Sequence, residues 1–178
     1  LLDRDGVINR ERADYVKCWD EFELLPGALE AIRILSTLSV PIAVITNQSA
    51  IGRGLADRHE IDAIHLRLSE MVRRSGGRID GFFLCPHTPA DGCQCRKPRT
   101  GLLFQAVERF QLDLSASVFV GDALTDYQAA VNAGCRSLLV RSGRRCAEID
   151  RFATTVPSSV HVVDDLSVAA AHICQIWA

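Results

Sequence analysis

The sequence predicts an α/β fold, a parallel sheet with helices packed on both faces in three layers, and three observations predict it. Short apolar runs rich in β-branched residues recur along the chain, each followed by a stretch whose apolar residues have helical spacing. Polar residues group directly after several of these runs, where open parallel sheets place their ligands. The composition, 48% hydrophobic and 24% charged over 178 residues, is that of a globular chain able to bury a core, so one domain over 1–178 is expected.

Taken in order, Leu1-Leu2 reads as the end of a buried strand whose beginning is missing. Pro26-Gly27 opens a helix with Leu29, Ile32, Leu35 and Leu38 at spacings of three. Val40 to Thr46, VPIAVIT, is a buried strand. Asp57 caps a second helix with Ile61, Ile64, Leu68, Met71 and Val72 on one face, and Gly76-Gly77 stops it. Ile79 to Leu84 is strand-like, and Gly101 to Phe110 has a helical face of Leu103, Ala106, Val107 and Phe110. Ser117 to Val120 is a strand ending in Gly121-Asp122. A helix through Tyr127 and Val131 follows and closes at Gly134. Arg136 to Val140 and Val160 to Val163 are further strands, and a helix from Leu166 ends the chain.

The formal net charge of −2, with no basic stripe or interleaved aromatics, gives no global field to recruit nucleic acid, and no nucleic-acid partner is expected. No apolar run approaches the roughly 18 residues of a membrane span, and no signal peptide opens the chain, so no membrane partner is expected. Seven cysteines, an odd number, do not form the even framework of a small secreted domain. A reducing cytoplasm is expected, with a monomeric protein in it.

Carboxylates and their neighbours stand at three strand ends: Asp3 and Asp5, then Thr46-Asn47-Gln48, then Asp122 and Asp126. Any one of these could be a helix cap. Three sets converging on one sheet edge would repel one another, and a hard cation such as Mg²⁺ would neutralise them and offer positions to a phosphate.

DRDGV (3–7), TN (46–47), RKP (96–98) and GDALTD (121–126) together resemble the four ordered motifs of the haloacid dehalogenase superfamily phosphatases. The resemblance implies the Rossmann-like fold of that family. It makes Asp3 the nucleophile that forms an aspartyl-phosphate and Asp5 the general acid and base. Mg²⁺ would be held by the carboxylates of Asp3 and Asp122 and the backbone carbonyl of Asp5. Thr46, Arg96 and Lys97 would stabilise the transferring phosphoryl group, and Asp126 would orient Lys97 or metal-bound water. Val7 departs from the threonine most often found there, and Ala123 stands where close relatives often carry a cation.

Cys85, His87, Cys93 and Cys95 read C-x-H-x5-C-x-C, a closed set of three thiolates and an imidazole suited to structural Zn²⁺. The alternatives are four unrelated loop residues, or a nucleophilic Cys85–His87 pair that leaves two cysteines unexplained. The loop, 85–95, has no apolar core of its own and runs straight into Arg96-Lys97, so Zn²⁺ would staple the two cations to the site rim. His59, His65, His161 and His172 are expected in ordinary helix or surface roles, and Arg144-Arg145 in a solvated turn.

About twenty residues separate Asp5 from Pro26, and 47–79 holds little beyond one helix, so the fold is expected to lack a cap domain. Loops would select the substrate, a phosphorylated sugar. Zinc-loop members of the superfamily include a heptose-bisphosphate phosphatase group, acting on the 7-phosphate, and a histidinol-phosphate phosphatase group. Residues 15–32 and TNQSAIGRG (46–54) are more similar to the first. That resemblance makes Arg12, Asp14, Tyr15, Asn47, Gln48, Ser49 and Arg53 substrate contacts. Arg53 suits a second phosphate, since a guanidinium binds one bidentately. A solvated loop cation is the alternative for Arg53. A phosphoacceptor signalling domain would share the carboxylates and Mg²⁺, but an acid–base group at Asp5 would destroy a stored phosphate. A polynucleotide phosphatase shares the catalytic chemistry and remains a further alternative.

Overall fold

The computed structural model describes residues 1–155 and 160–177. Its strands are β1 (Ala43–Asn47), β2 (Gly81–Cys85), β3 (Val118–Gly121), β4 (Arg136–Val140) and β5 (His161–Val163). β1 pairs in parallel with β2, and β3–β4–β5 pair in parallel in that order. Leu2 joins the two groups by bridging in parallel to Val44 and to Val120. Its neighbours complete a strand-like ladder, with Leu2 N–H donating to Ala43 O and Asp3 N–H to Val120 O, both at 2.8 Å. The parallel order is therefore β2-β1-Leu2-β3-β4-β5. The first segment lies at the centre, where connections leave in both directions and a ligand crevice opens.

Alternation along the strands decides which helices each face receives. Val44, Val118, Val120, Leu138 and Val140 pack with helices α1 (Ala28–Leu35), α3 (Arg58–Arg74) and α7 (Leu166–Trp177). Ala43, Ile45 and Phe119 pack on the other side with α4 (Gly101–Phe110) and α5 (Leu124–Asn132). One residue of shift would exchange the two faces, so the apolar pattern also fixes the register. α2 (Ser49–Gly52) and α6 (Cys146–Thr155) complete the α-helices among the described residues, and Trp19–Glu21, Pro89–Asp91 and Leu114–Ala116 form short 3-10 turns.

The expected elements are present, with instructive differences. β1 begins at Ala43, not Val40, because Pro41 has no N–H for a ladder; Val40 is 39% exposed. α5 buries Asp126, Ala129 and Ala130 in place of Tyr127 and Val131, and Val131 is 53% exposed. Small alanines let this helix lie close against the sheet. α4 buries Leu102 beside Leu103 and Ala106, and Val107 and Phe110 stay at the margin. No described helix is long and apolar enough to cross a membrane.

Candidate active site

At the carboxyl edge of the sheet, Asp3, Asp122 and Asp126 bring one carboxylate oxygen each within 4.8 Å of one another. All three are at most 9% exposed. Asp3 follows the central segment, Asp122 follows β3, and Asp126 lies in the first turn of α5. Lys97 Nζ reaches into the same space, 2.9 Å from Asp3 Oδ1, 2.8 Å from Asp126 Oδ1 and 2.9 Å from the carbonyl of Ile45. Asp126 Oδ2 accepts from the backbone N–H groups of Asp122 and Ala123, which locks the turn after β3.

With all three carboxylates ionised against one ammonium, the buried space would hold a formal charge of −2. Burial raises the Asp3 carboxyl to about 7 in spite of Lys97, with Asp126 adding to the rise. Asp122 is raised well above its ordinary value by burial and then by Asp3 and Asp126. Lys97 is held above its usual range: burial opposes its charge, and Asp126 and Asp3 outweigh that. Asp122 Oδ2 is buried and has no hydrogen-bond partner. An orphaned carboxylate oxygen, in a cluster whose carboxyls are raised for want of positive charge, fits a divalent, oxygen-seeking cation. The backbone is shaped around it. Gly6, at φ +83°, and Gly143 both approach so closely that a Cβ on either would collide with the Asp122 carboxylate.

The Asp5 side chain is not in this cluster, which leaves its backbone carbonyl as its route to a cation. Its carboxylate turns to Arg4 Nη2, 2.9 and 3.0 Å from its two oxygens, to Asn9 Nδ2 at 2.9 Å and to Gln48 Nε2 at 2.7 Å. Burial alone would raise Asp5, but Arg4, Asn9 and Gln48 reverse this and hold it below the usual carboxylate range. Gln48 also donates to Thr46 Oγ1 at 2.8 Å, so its amide is committed to the network. Arg4 and Asn9 are not among the expected site residues; nothing in their sequence neighbourhood marks the arginine inside DRDGV as buried.

A cleft of about 530 Å³ opens over these groups. Asp3, Asp5, Arg12, Tyr15, Thr46, Asn47, Gln48, Ser49, Arg53, Arg96, Lys97, Asp122 and Asp126 all line it. Asp14 does not; it pairs with Arg12 at 3.1 Å and Lys17 at 2.9 Å, outside the cleft. Asn47 spans the floor, donating to Lys97 O and accepting from Lys97 N–H, which ties β1 to the RKP segment. Tyr15 is held at φ +68°, a left-handed backbone that costs a non-glycine residue roughly 1–2 kcal/mol. The Arg53 guanidinium lies 6.0 Å from the centre of its ring. The arginine and the strained tyrosine thus form one wall. Arg144 and Arg145 also line the cleft; they stand in an exposed turn, as expected, and Glu11 ties it down, accepting from Arg144 N–H at 3.3 Å and lying 3.4 Å from Arg145 Nη1.

Beside the cleft, Cys85, His87, Cys93 and Cys95 converge. Cys85 Sγ lies 3.6 Å from Cys93 Sγ and 3.2 Å from Cys95 Sγ, and His87 Nδ1 lies 3.5 Å from Cys85 Sγ and 3.2 Å from Cys95 Sγ. A tetrahedron with Zn–S bonds of about 2.3 Å has edges of about 3.7 Å, so the four atoms are nearly at ligand spacing. None of these cysteines is disulfide-bonded. Burial pushes the Cys85 thiol up to about 12, a cost that a bound cation would offset. The loop carries its order on to the site through Arg96 Nη1, which donates to His87 O at 3.1 Å.

Comparison with known proteins agrees with this arrangement. The HAD-hydrolase-like family model matches residues 94–169. The D-glycero-beta-D-manno-heptose-1,7-bisphosphate 7-phosphatase of Pseudomonas aeruginosa is 41% identical over 98% of this chain and 97% of its own. A Mycobacterium bovis relative, the corresponding alpha-heptose enzyme, is 43% identical over 74% of this chain and 70% of its own. The crystal structure of D,D-heptose 1,7-bisphosphate phosphatase from Bordetella bronchiseptica, complexed with magnesium and phosphate, superposes with a TM-score of 0.90. It is 39% identical over 98% of this chain and 96% of its own. The chain belongs to the haloacid dehalogenase-like hydrolases. Within that family it is a phosphatase, similar over nearly its whole length to the heptose-bisphosphate phosphatases.

Proposed function

We propose that this phosphatase removes the 7-phosphate of D-glycero-D-manno-heptose 1,7-bisphosphate through an aspartyl-phosphate on Asp3, as one catalytic domain working in the reducing cytoplasm. The observation that carries the chemistry is the buried Asp3–Lys97–Asp126 contact beside the unpartnered Asp122 oxygen. Near-full-length similarity to the heptose-bisphosphate phosphatases supports the substrate.

Asp3 would attack phosphorus as the P–O7 bond breaks, with Lys97, Thr46 and Arg96 stabilising the phosphoryl oxygens. Mg²⁺, held by Asp3, Asp122 and the carbonyl of Asp5, would neutralise the carboxylates and the transferring group. The heptose oxygen leaves with a proton from Asp5. Water then attacks the acyl-phosphate and gives its proton back to Asp5, which frees inorganic phosphate and regenerates Asp3. Asp5 as held here is in its proton-accepting form. A phosphate dianion placed next to it favours proton uptake, as like charges do. Zn²⁺ in the Cys85, His87, Cys93 and Cys95 set would take no part in the steps; it would hold Arg96 and Lys97 in place. The distal 1-phosphate would meet Arg53, with Arg12 and Tyr15 beside it. Asp14 supports this wall indirectly by holding Arg12.

The test is a side-by-side rate measurement in Mg²⁺ with both anomers of heptose 1,7-bisphosphate, histidinol phosphate and a 3′-phosphorylated oligonucleotide. The heptose bisphosphate is expected to have the highest kcat/KM. Faster turnover of histidinol phosphate or of the oligonucleotide would overturn the substrate and leave the Asp3 chemistry standing.

A further inference from the structure

Arg4 is wholly buried, and its side chain is committed to the site. Nη2 bonds both oxygens of Asp5 and also Gln48 Oε1, at 3.1 Å. Behind it, Nη1 lies 3.3 Å from His65 Nε2. His65 comes from α3, is 5% exposed, and stacks on the Phe82 ring of β2 with centroids 4.4 Å apart and planes 13° from parallel. An arginine can only donate, so Nε2 must offer its lone pair and the imidazole must carry its proton on Nδ1. Burial, and next the Arg4 charge, lower His65 to about 3, which keeps it in that accepting form.

A buried guanidinium is expensive, and a structural filler at this position would serve better as an apolar side chain. What an arginine adds is a rigid planar group with separate donors: Nη2 spans both Asp5 oxygens while Nη1 is held from behind, so fixing one fixes the other. We infer that Arg4 and His65 are positioning residues for the reaction: Arg4 fixes the Asp5 carboxylate in its acid–base orientation, and His65 Nε2 anchors the guanidinium from behind. The inference rests on the acid–base role proposed for Asp5. It gives the long helix α3 a task, since it carries the one imidazole on which the arginine rests.

The test compares kcat/KM, which reports the first phosphoryl transfer, for the heptose bisphosphate and for p-nitrophenyl phosphate. The alkoxide leaving the sugar needs a proton from Asp5, whereas nitrophenolate leaves without one. In His65→Leu the sugar phosphate should lose about tenfold or more, as small misplacements of a catalytic group do, and the aryl phosphate about twofold at most. His65→Gln, whose Oε1 can take the place of Nε2, should restore the sugar-phosphate rate. Asp5→Asn should show the same selectivity, larger. Equal losses on both substrates in His65→Leu, no loss, or a His65→Gln variant as poor as His65→Leu would each overturn the inference. If His65→Leu does not fold, Arg4→Lys carries the same comparison, with selective loss expected and equal loss overturning it. Absence of selectivity in Asp5→Asn would remove the acid role and the pair together; selectivity there alone would remove only the pair.

Discussion

Single residues divide the work by what surrounds them. Asp3 and Asp5 are two positions apart, yet the first lies in a carboxylate cluster with one ammonium and the second in a cradle of three donors. Asp3→Asn should abolish turnover, since an amide cannot form the acyl-phosphate, and acid-quenched enzyme should carry no bound phosphate. Arg53→Ala should lower kcat/KM for the bisphosphate by about ten- to a hundredfold, the usual worth of a charge-assisted contact, with little change on a monophosphate. Equal losses on both would remove Arg53 from the distal wall. His65 also makes a prediction about pH. Its folded value of about 3 lies below the ordinary 6.5, so between these values the unfolded chain takes up a proton and the folded chain does not. The stability contributed by this group is present above pH 6.5 and is lost as pH falls toward 3. Urea midpoints at pH 7 and 4.5 should therefore differ less in His65→Gln than in the unmodified protein. Effects of Asp3 and the other carboxylates are common to both and cancel in that comparison. A larger difference in the variant would contradict the assigned state of the imidazole.

At the scale of elements, residues 85–95 form a short loop on which Cys85, His87, Cys93 and Cys95 converge, and the proposed Zn²⁺ would supply its order. The purified protein should contain about one zinc per chain. Cys93→Ser should loosen residues 85–98 and lower kcat, with the helical circular dichroism of the sheet-and-helix body unchanged. A zinc-free, fully active preparation would contradict the staple. This loop was legible in the sequence because ligand spacing is local. The strands and the helices α1, α3, α4 and α7 were legible for a related reason: each has a regular apolar face. α6 was not, because Ile149 is its one fully buried residue and no periodic stripe results. The cradle of Asp5 was not legible either. Arg4 and His65 are 61 positions apart, and only the packing of α3 over β2 makes them neighbours. The solvated turn of Arg144-Arg145 was legible, but its place at the cleft was not, because Glu11, which ties it there, is 133 positions from Arg144.

At the scale of the whole molecule, a parallel sheet whose central segment carries Asp3, the proposed nucleophile, gathers groups from beyond β1, β2, β3 and β4 onto one edge. The buried Asp3–Asp122–Asp126 cluster on that edge has only the Lys97 ammonium to offset three carboxylates, a shortfall a divalent cation would make up. Mg²⁺ should therefore raise the melting temperature of the metal-depleted protein by mass action, and Asp122→Asn should remove most of that gain. An unchanged melting temperature on adding Mg²⁺ would contradict the charge argument. Brief EDTA treatment should stop turnover, excess Mg²⁺ should restore it, and Zn²⁺ alone should not. Among the described residues no cap domain stands over the cleft, so in the proposed reaction the loops bearing Arg12, Arg53, Arg96 and Arg144-Arg145 would hold the sugar while its far phosphate is spared. The most direct test is ³¹P NMR of heptose 1,7-bisphosphate during turnover with Mg²⁺. The C7 resonance, split by two methylene protons, should vanish as inorganic phosphate appears, and the C1 resonance, split by the anomeric proton, should persist. Loss of the C1 resonance first, or of neither, would contradict the account.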